Sequence, residues 1–113
     1  MLQHKNSVIS TFSGGMKRRI SLAISTIGSP NIIFMDEPTT GMDPKSRRDV
    51  WQTIRNIKKG KSIILTTHGM DEADALSDRI AVINEGQISC IGTSLFLKNT
   101  FGDGYRLTII SEK

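Results

Sequence analysis

The sequence is poor in the residues that build disulfides, membrane spans and signal peptides. Of its 113 residues only one is a cysteine, Cys90, which excludes a disulfide within the chain and fits a reducing compartment. No apolar run approaches the roughly 20 residues that a membrane-spanning helix needs. The first residues, Met-Leu-Gln-His-Lys, lack the apolar core of a signal peptide. We therefore expect no transmembrane segment within this chain.

The excess of one sign of charge over the other is also small. The net charge of +4 is mild, and the two basic clusters, residues 17–19 and 47–48, have no aromatic residues between them. Such clusters are typical of solvated helix faces, so we expect no nucleic-acid partner. The hydrophobic and charged fractions, 37% and 23%, are those of a globular protein, and the length suits one small domain.

Hydrophobic periodicity places a helix and then a strand in the first part of the chain. Residues 1–12 are polar and weakly patterned, and we expect a disordered lead-in or the edge of something larger. Apolar residues then recur at helical spacing from Met16 to Ile27, and Gly28-Ser29-Pro30 ends that helix. The apolar run from Ile32 to Met35 is typical of a strand buried in a parallel sheet.

Helices and strands alternate through the rest of the chain. The predicted elements are a helix capped by Asp43 with a buried face of Val50, Trp51, Ile54 and Ile57, a strand at 62–67, a helix at 70–77, a hairpin of strands 79–83 and 87–91, a helix from a Ser94 cap to residue 99, and a strand at 105–110. This order favours an α/β fold with a mainly parallel core and an antiparallel edge.

Polar residues follow two of the predicted strands directly. Asp36 and Glu37 come after the first strand, and His68 comes after the second. Ligand sites in open α/β sheets lie beyond the carboxyl ends of strands, so these side chains stand where chemistry is usually done. A solvated strand end is the alternative interpretation of Asp36 and Glu37.

The segment Ser13-Gly14-Gly15 precedes the first helix. Ser13 is a suitable N-cap, and the two glycines leave backbone N–H groups open at the positive end of the helix dipole. That arrangement binds anions, phosphate especially. A plain cap with flexible glycines is the other interpretation.

Three other patterns are weaker. Gly60-Lys61-Ser62 resembles the end of a phosphate-binding loop, but position 55 is arginine where that loop needs glycine, and here a helix leads into a strand instead of the reverse. A hydrolase built from Ser13, His68 and Asp36 lacks the sequence of a nucleophile elbow. His68 and Glu72 have no second histidine nearby for a metal site.

Two further expectations concern structural residues. Asp71, Glu72 and Asp74 begin the short helix, where the helix dipole favours acids, so we expect them to be structural or solvated. Trp51 is expected in the core rather than at a ligand.

Taken in order, these parts resemble the motifs of ATP-binding cassette (ABC) ATPases. The matching stretches are residues 13–17 for the signature loop, 32–36 for the Walker B strand, Glu37 for the catalytic glutamate, 41–43 for the D-loop and His68 for the switch histidine. Residues 70–74, 94–99 and 102–105 are similar to the A subfamily of ABC transporters, which are large membrane proteins. Phe12 and Met16 depart from the commonest signature residues, leucine and glutamine.

The resemblance implies a fold and a place in a larger protein. It covers the C-terminal half of a nucleotide-binding domain of the P-loop NTPase type, a mainly parallel sheet flanked by helices with an antiparallel C-terminal hairpin. Such a domain lies on the cytoplasmic side of a membrane within an integral membrane transporter. Its partners are a second nucleotide-binding domain and transmembrane domains, and many members of the subfamily move lipids.

The resemblance also implies a role for each site residue. Asp36 would hold Mg²⁺ through water, Glu37 would polarise the attacking water as general base, and His68 would contact the γ-phosphate of ATP. Ser13 and the Gly14 and Gly15 amides would contact the γ-phosphate of an ATP molecule that the opposite domain holds. Asp43 would communicate between the two ATP sites.

The half of the domain that carries the Walker A loop, the Q-loop and the adenine-stacking aromatic has no match in these residues. We therefore expect that this chain alone does not hydrolyse ATP. An alternative is a non-catalytic interaction or regulatory module that lends its signature loop to a partner cassette. A soluble repair or translation ATPase is a third interpretation, which the A-subfamily resemblance disfavours. In the family, the other half of the domain covers some of these strands and helix faces. Their exposure in this chain predicts a domain that is marginally stable or prone to aggregate.

Overall fold

The computed structural model describes residues 6–102, and these residues divide into two units, 6–76 and 77–102. The predicted turn at 102–104 and strand at 105–110 fall largely outside the described residues, as do the first five residues of the predicted lead-in. Within that lead-in, residues Ile9–Thr11 form one turn of 3₁₀ helix.

The first unit is a strand–helix–strand arrangement with a helix on either side of it in sequence. Its elements are α1 (Gly14–Ser25), β1 (Ile32–Asp36), α2 (Pro44–Ile57), β2 (Ser62–Thr66) and α3 (Met70–Leu76). The strands β1 and β2 pair in parallel, in register from Ile32 opposite Ser62 to Asp36 opposite Thr66. Two parallel strands joined through a helix confirm the predicted α/β character of this part of the chain.

The core of the first unit lies where α1, α2 and α3 meet one face of β1. Its buried members are Leu22, Ile33, Met35, Val50, Ile54 and Leu76, with Trp51 and Ile57 packed against them. The predicted buried face of α2 is therefore confirmed. The apolar stripe of α1 is not its buried face, because Ile24 and Ile27 are 59% and 75% exposed, whereas Leu22, which is outside the stripe, is buried.

Within residues 6–102, nothing covers the other face of β1. Phe34 and Ile32 are 73% and 56% exposed, and Ile64, opposite Phe34 on β2, is 54% exposed. The prediction of a buried parallel strand is thus correct for the pairing and wrong for one face. The reason is that side chains alternate between the faces of a strand, and the helices that form the core cover only the face of Ile33 and Met35.

The second unit is a hairpin followed by a helix. Strands β3 (Ile80–Asn84) and β4 (Gln87–Gly92) pair antiparallel, with an irregularity between Val82 and Ile83. Glu85 and Gly86 have φ of 50° and 76°, the left-handed conformation that a two-residue hairpin turn of type I′ needs at both positions. The predicted hairpin is confirmed, and it forms a sheet separate from β1 and β2 within the described residues.

The last described helix, α4, runs from Ser94 to Phe101. Its N-cap is Thr93, whose Oγ1 accepts the Phe96 backbone N–H at 3.2 Å, so the predicted Ser94 cap is wrong by one residue. The Phe96 ring packs onto Gly92, the last residue of β4, so closely that a Cβ added there would meet the ring.

Within residues 6–102, none of the helices combines the length and the apolar character required to cross a membrane.

Candidate functional site

The parallel register brings the polar residues after β1 and β2 to one edge of the sheet. Asp36 pairs with Thr66, so Glu37 and His68 follow side by side. The Thr66 hydroxyl donates to Asp36 Oδ1 and also accepts the Glu37 backbone N–H at 3.3 Å. The Glu37 N–H donates to the Thr66 carbonyl at 3.1 Å as well. Thr66, which no sequence motif singled out, thus fixes both carboxylate residues relative to β2.

The Glu37 carboxylate is held from two sides. His68 Nδ1 lies 3.0 Å from Oε1 and 2.9 Å from Oε2, and the Thr40 hydroxyl donates to Oε2 at 2.6 Å. These bonds, first that of Thr40 and then that of His68, lower the pKa of the Glu37 carboxyl. The same hydrogen bond to Glu37 raises the pKa of His68. The pair therefore favours an ionised carboxylate beside an imidazole that accepts a proton readily.

The backbone of Glu37 is as constrained as its side chain. Its φ of 46° lies in the left-handed region, which is unfavourable for a residue with a Cβ and persists only where the surroundings fix it. Arg18 of α1 supplies that constraint, because Nη2 donates to the Glu37 carbonyl and Nε donates to the Pro38 carbonyl at 3.1 Å. The prediction of a solvated basic cluster is therefore wrong for Arg18. Its neighbour Arg19 makes an exposed ion pair with Asp49 at 3.1 Å.

The N-terminus of α1 is open. Ser13 caps it as predicted, its Oγ accepting the Met16 N–H at 3.2 Å, and the first turn contains no acidic residue. Around Gly14 and Gly15 there is open space where a side chain would stand. A groove of about 320 Å³ runs beside this turn and is lined by Gly14, Gly15, Lys17, Arg18, Ser21, Thr40, Gly41 and Met42. The two glycines and the turn at residues 40–42 therefore face one groove.

Asp43 caps α2, as its position before Pro44 predicts. Its Oδ1 accepts the backbone N–H groups of Lys45 and Ser46 at 3.1 and 3.0 Å. The bond from Ser46 is the largest of the causes that lower the pKa of the Asp43 carboxyl. This contact fixes the start of α2 immediately after the turn that lines the groove.

Glu72 is buried and connects the segment after Glu37 with α2 and α3. Its side chain is 3% exposed, and its Oε1 accepts from the Thr39 hydroxyl at 2.6 Å and from Trp51 Nε1 at 2.9 Å. Of the two interpretations, structural or solvated, the structural one is correct. Trp51 packs against the core as expected and also donates this hydrogen bond. No local pattern in the sequence distinguishes Glu72 from its exposed neighbour Asp71.

The weaker sequence patterns do not form the sites that they suggest. His68 Nδ1 contacts Glu37 rather than Asp36, and the Ser13 hydroxyl oxygen is occupied as a helix cap, so the hydrolase triad is not assembled. Ser62 begins β2 after the end of α2, the reverse of a phosphate-binding loop. In the described residues, no group of three or more His, Cys, Asp or Glu side chains is arranged to hold a metal by itself.

Known proteins match this chain closely. The family model described as ABC transporter matches residues 1–40. ABC transporter A family member 9 of Arabidopsis thaliana is 59% identical over 99 residues, which are 88% of this chain and 10% of that protein. ATP-binding cassette sub-family A member 2 of Homo sapiens is 53% identical over 106 residues, which are 94% of this chain and 4% of that protein. The chain thus spans a tenth or less of these two relatives' length.

A solved structure shows the same fold. A bacterial Atm1-family ABC exporter with ATP bound superposes with a TM-score of 0.69 at 28% identity, over 78% of this chain and 15% of that one. Its α/β ATPase fold agrees with the parallel strands and helices described above. By these matches and by its fold, the chain belongs to the ABC transporter family as part of a nucleotide-binding domain, and within that family it resembles the A subfamily.

Proposed function

We propose that this chain supplies the water-activating residues and the signature loop of an A-subfamily cassette that hydrolyses ATP. The observation that carries the proposal is the polar cluster beyond β1 and β2, in which Glu37 meets His68 and Thr40. Phosphoryl transfer asks a protein mainly for a positioned nucleophile, neutralised charge and a held metal ion. The described residues offer a candidate group for each of these needs.

Glu37 is the proposed general base. The hydrogen bonds from Thr40 and His68 lower the pKa of Glu37 and so favour the ionised carboxylate, the form that can accept a proton from the attacking water. The His68 side chain is 79% exposed, so its ring is accessible to a phosphate that approaches the cluster. Its raised pKa favours the cationic form, which would neutralise charge on the γ-phosphate.

Asp36 is the group that would hold Mg²⁺. A protein typically offers this ion one or two carboxylates, and waters and substrate phosphates complete the coordination. Asp36 offers one carboxylate at the carboxyl end of β1, oriented by Thr66, and a single carboxylate fits such a site. When bound, the ion would neutralise charge on the β- and γ-phosphates.

The N-terminus of α1 is proposed to bind the γ-phosphate of ATP held by a second cassette. Ser13 and the amides of Gly14 and Gly15 lie at the positive end of a helix of 12 residues with no acid in its first turn. Asp43, at the turn that shares their groove, would carry communication between the two sites.

The whole protein is proposed to be a transporter. Since the relatives named above are ten or more times longer than the matched segment, transmembrane domains, a second cassette and the choice of cargo belong to other parts of such a protein. We place this segment on the cytoplasmic side of a membrane and propose lipid as the cargo class. Alone it is proposed to be inactive, because its sequence contains no G-x-x-x-x-G-K-[ST] loop to cradle the phosphates.

The first test is calorimetric titration of the purified chain with Mg-ATP up to millimolar concentration. We expect no saturable binding, because the cradle must come from elsewhere. Saturable binding at micromolar concentration would contradict the proposal that this chain lacks a phosphate-cradling loop, and Gly60-Lys61-Ser62 would again become a candidate phosphate site.

The second test replaces the matching segment of the Arabidopsis relative with this chain. In that graft, Glu37→Gln is expected to retain ATP binding and to lose turnover, because the amide cannot accept the proton. Glu85→Gln, the same change in the exposed hairpin turn, is the matched control and should leave turnover intact. Normal turnover in the Glu37→Gln graft would remove Glu37 from the mechanism.

A second candidate function is a non-catalytic module that lends its signature loop to a partner cassette. The open space around Gly14 and Gly15 favours it, because an approaching phosphate would meet no side chain there. An ATP-dependent pull-down with a complete cassette, lost on Ser13→Arg, would support this function. Absence of any such binding would count against it.

A further inference from the structure

We propose that Arg18 is a positioning residue that holds the backbone of Glu37 so that the Glu37 carboxylate faces His68. Arg18 lies outside every motif of the sequence. The geometry of the proposal stands on the structure itself, whereas its consequence for hydrolysis rests on the proposed function.

The Arg18 guanidinium spans two consecutive carbonyl groups. Nη2 donates to the carbonyl oxygen of Glu37, and Nε donates to that of Pro38 at 3.1 Å, both in a part-buried position. Hydrogen bonds from a charged donor are stronger than neutral ones. The planar fork of arginine suits two neighbouring acceptors, whereas a lysine offers one compact charge on a flexible stem.

Glu37 needs such a hold. Its left-handed φ of 46° disfavours any residue with a Cβ, and the residue before a proline is pushed toward extended conformations. Glu37 precedes Pro38, so both local preferences oppose the observed backbone. Without Arg18, the described residues leave the Glu37 carbonyl a 3.3 Å bond from the Thr40 N–H, and we expect the peptide to relax toward the extended region.

Relaxation of this backbone would move the carboxylate. In the observed conformation Glu37 Oε1 and Oε2 lie 3.0 and 2.9 Å from His68 Nδ1. A change of φ by the amount that separates left-handed from extended backbone redirects the side chain, so His68 would lose its partner. The ring of His68 therefore reports on the position of Glu37.

The contact also joins two parts of the proposed site. Arg18 belongs to α1, the helix whose first turn carries Gly14 and Gly15, and it lines the same groove as they do. Arg18 therefore links the helix that begins at this groove to the backbone of Glu37.

The test is an NMR pH titration of the His68 ring in the full 113-residue chain, comparing Arg18→Gln with Arg19→Gln. Arg19 is the matched control, because it is the next residue of the same helix, carries the same charge and pairs with Asp49, which is exposed. The charged side chains that act on His68 are Glu37, Glu72 and Arg47, and neither variant substitutes any of the three.

The two possible effects have opposite signs. Removal of a nearby positive charge alone raises the pKa of a histidine, whereas loss of the Glu37 partner lowers it. We expect Arg18→Gln to move the pKa of His68 down toward its ordinary value of about 6.5 and Arg19→Gln to leave it unchanged or slightly raised. An unchanged or raised pKa in a well-dispersed spectrum of Arg18→Gln would overturn the proposal, as would a wild-type pKa that is not raised.

Arg18→Lys keeps the positive charge, and the same titration of His68 in this variant tests the proposal if Arg18→Gln does not fold. A fall of the pKa of His68 in this variant supports the fork geometry, and the wild-type pKa contradicts it. The titration uses no nucleotide, so its result is separate from that of the Glu37→Gln graft. A positive titration with normal turnover in that graft would remove the proposed base but would leave Arg18 as the residue that holds Glu37.

Discussion

The two faces of β1 are made of the same kind of residue and have opposite surroundings. Ile33 and Met35 are 3% and 7% exposed, whereas Ile32 and Phe34 on the other face are 56% and 73% exposed. An uninterrupted apolar run is typical of strands covered on both faces. Residues 6–102 cover one face, so β1 carries more apolar surface than this part of the chain can bury. The covered face of β1 therefore stabilises this segment, whereas the exposed face makes it prone to associate.

The largest expected effect is on the covered face. Ile33→Ala should lower the free energy of unfolding by about 2–5 kcal/mol, because it leaves a cavity among packed side chains. Ile32→Ala, the same substitution one residue earlier, should change it by no more than about 0.5 kcal/mol. Urea unfolding of both variants makes the comparison. Equal losses would show that the exposed face is covered in solution.

The next effect concerns the buried carboxylate of Glu72. Glu72→Leu should cost about 1–3 kcal/mol, because the Thr39 hydroxyl and the Trp51 Nε1–H lose their shared acceptor. Glu72→Gln is the matched control, since its amide oxygen can accept both bonds, and it should retain most of the stability. Urea unfolding followed by Trp51 fluorescence measures both. If Glu72→Leu proved as stable as the wild type, the hydrogen bonds of Glu72 to Thr39 and Trp51 would not contribute to the stability of the fold.

A smaller effect on stability, but a clear one on association, is expected on the open face. Phe34→Ser removes the most exposed large side chain of the patch that Ile32 and Ile64 share with it. It should leave the free energy of unfolding within about 0.5 kcal/mol and reduce self-association. Sedimentation velocity across a range of concentrations measures the association. Wild-type chain that stays monomeric at every concentration, with a sharp reversible melt, would contradict the expected aggregation.

Local signals in the sequence predicted the helices, the parallel pair and the hairpin. Ser13 and Asp43 were recognisable as caps because a cap bonds within three residues of itself. Where two adjacent residues could serve equally, local signals were insufficient. Thr93 and Ser94 both carry a capping hydroxyl, and the structure uses Thr93.

Residues that hold the site together were missed because their partners are far away in sequence. Arg18 meets a carbonyl 19 residues away, and Glu72 meets Thr39 across 33 residues. Periodicity states that a side chain lies on a helix face, but it does not state which group stands opposite. The same limit applies to β1, because an apolar run predicts burial without identifying the segment that covers each face.

The smallest expected effect lies at the end of β1, at the pair formed by half-buried Glu37 and exposed His68. The pKa of His68 is raised in the folded chain. Its contribution to stability is therefore complete below the pKa of the unfolded chain and is lost as pH rises through the pKa of the folded chain. The pKa of Glu37 is lowered, so its contribution to stability is lost as pH falls through its pKa in the folded chain. The pKa of Asp43 is lowered too, so its contribution is likewise lost as pH falls. Urea unfolding of the wild type and of His68→Gln between pH 6 and 8 isolates the first window, since Asp43 does not titrate there. The wild type should lose stability with rising pH and the variant should not, and parallel curves would show that the pair contributes nothing to the fold.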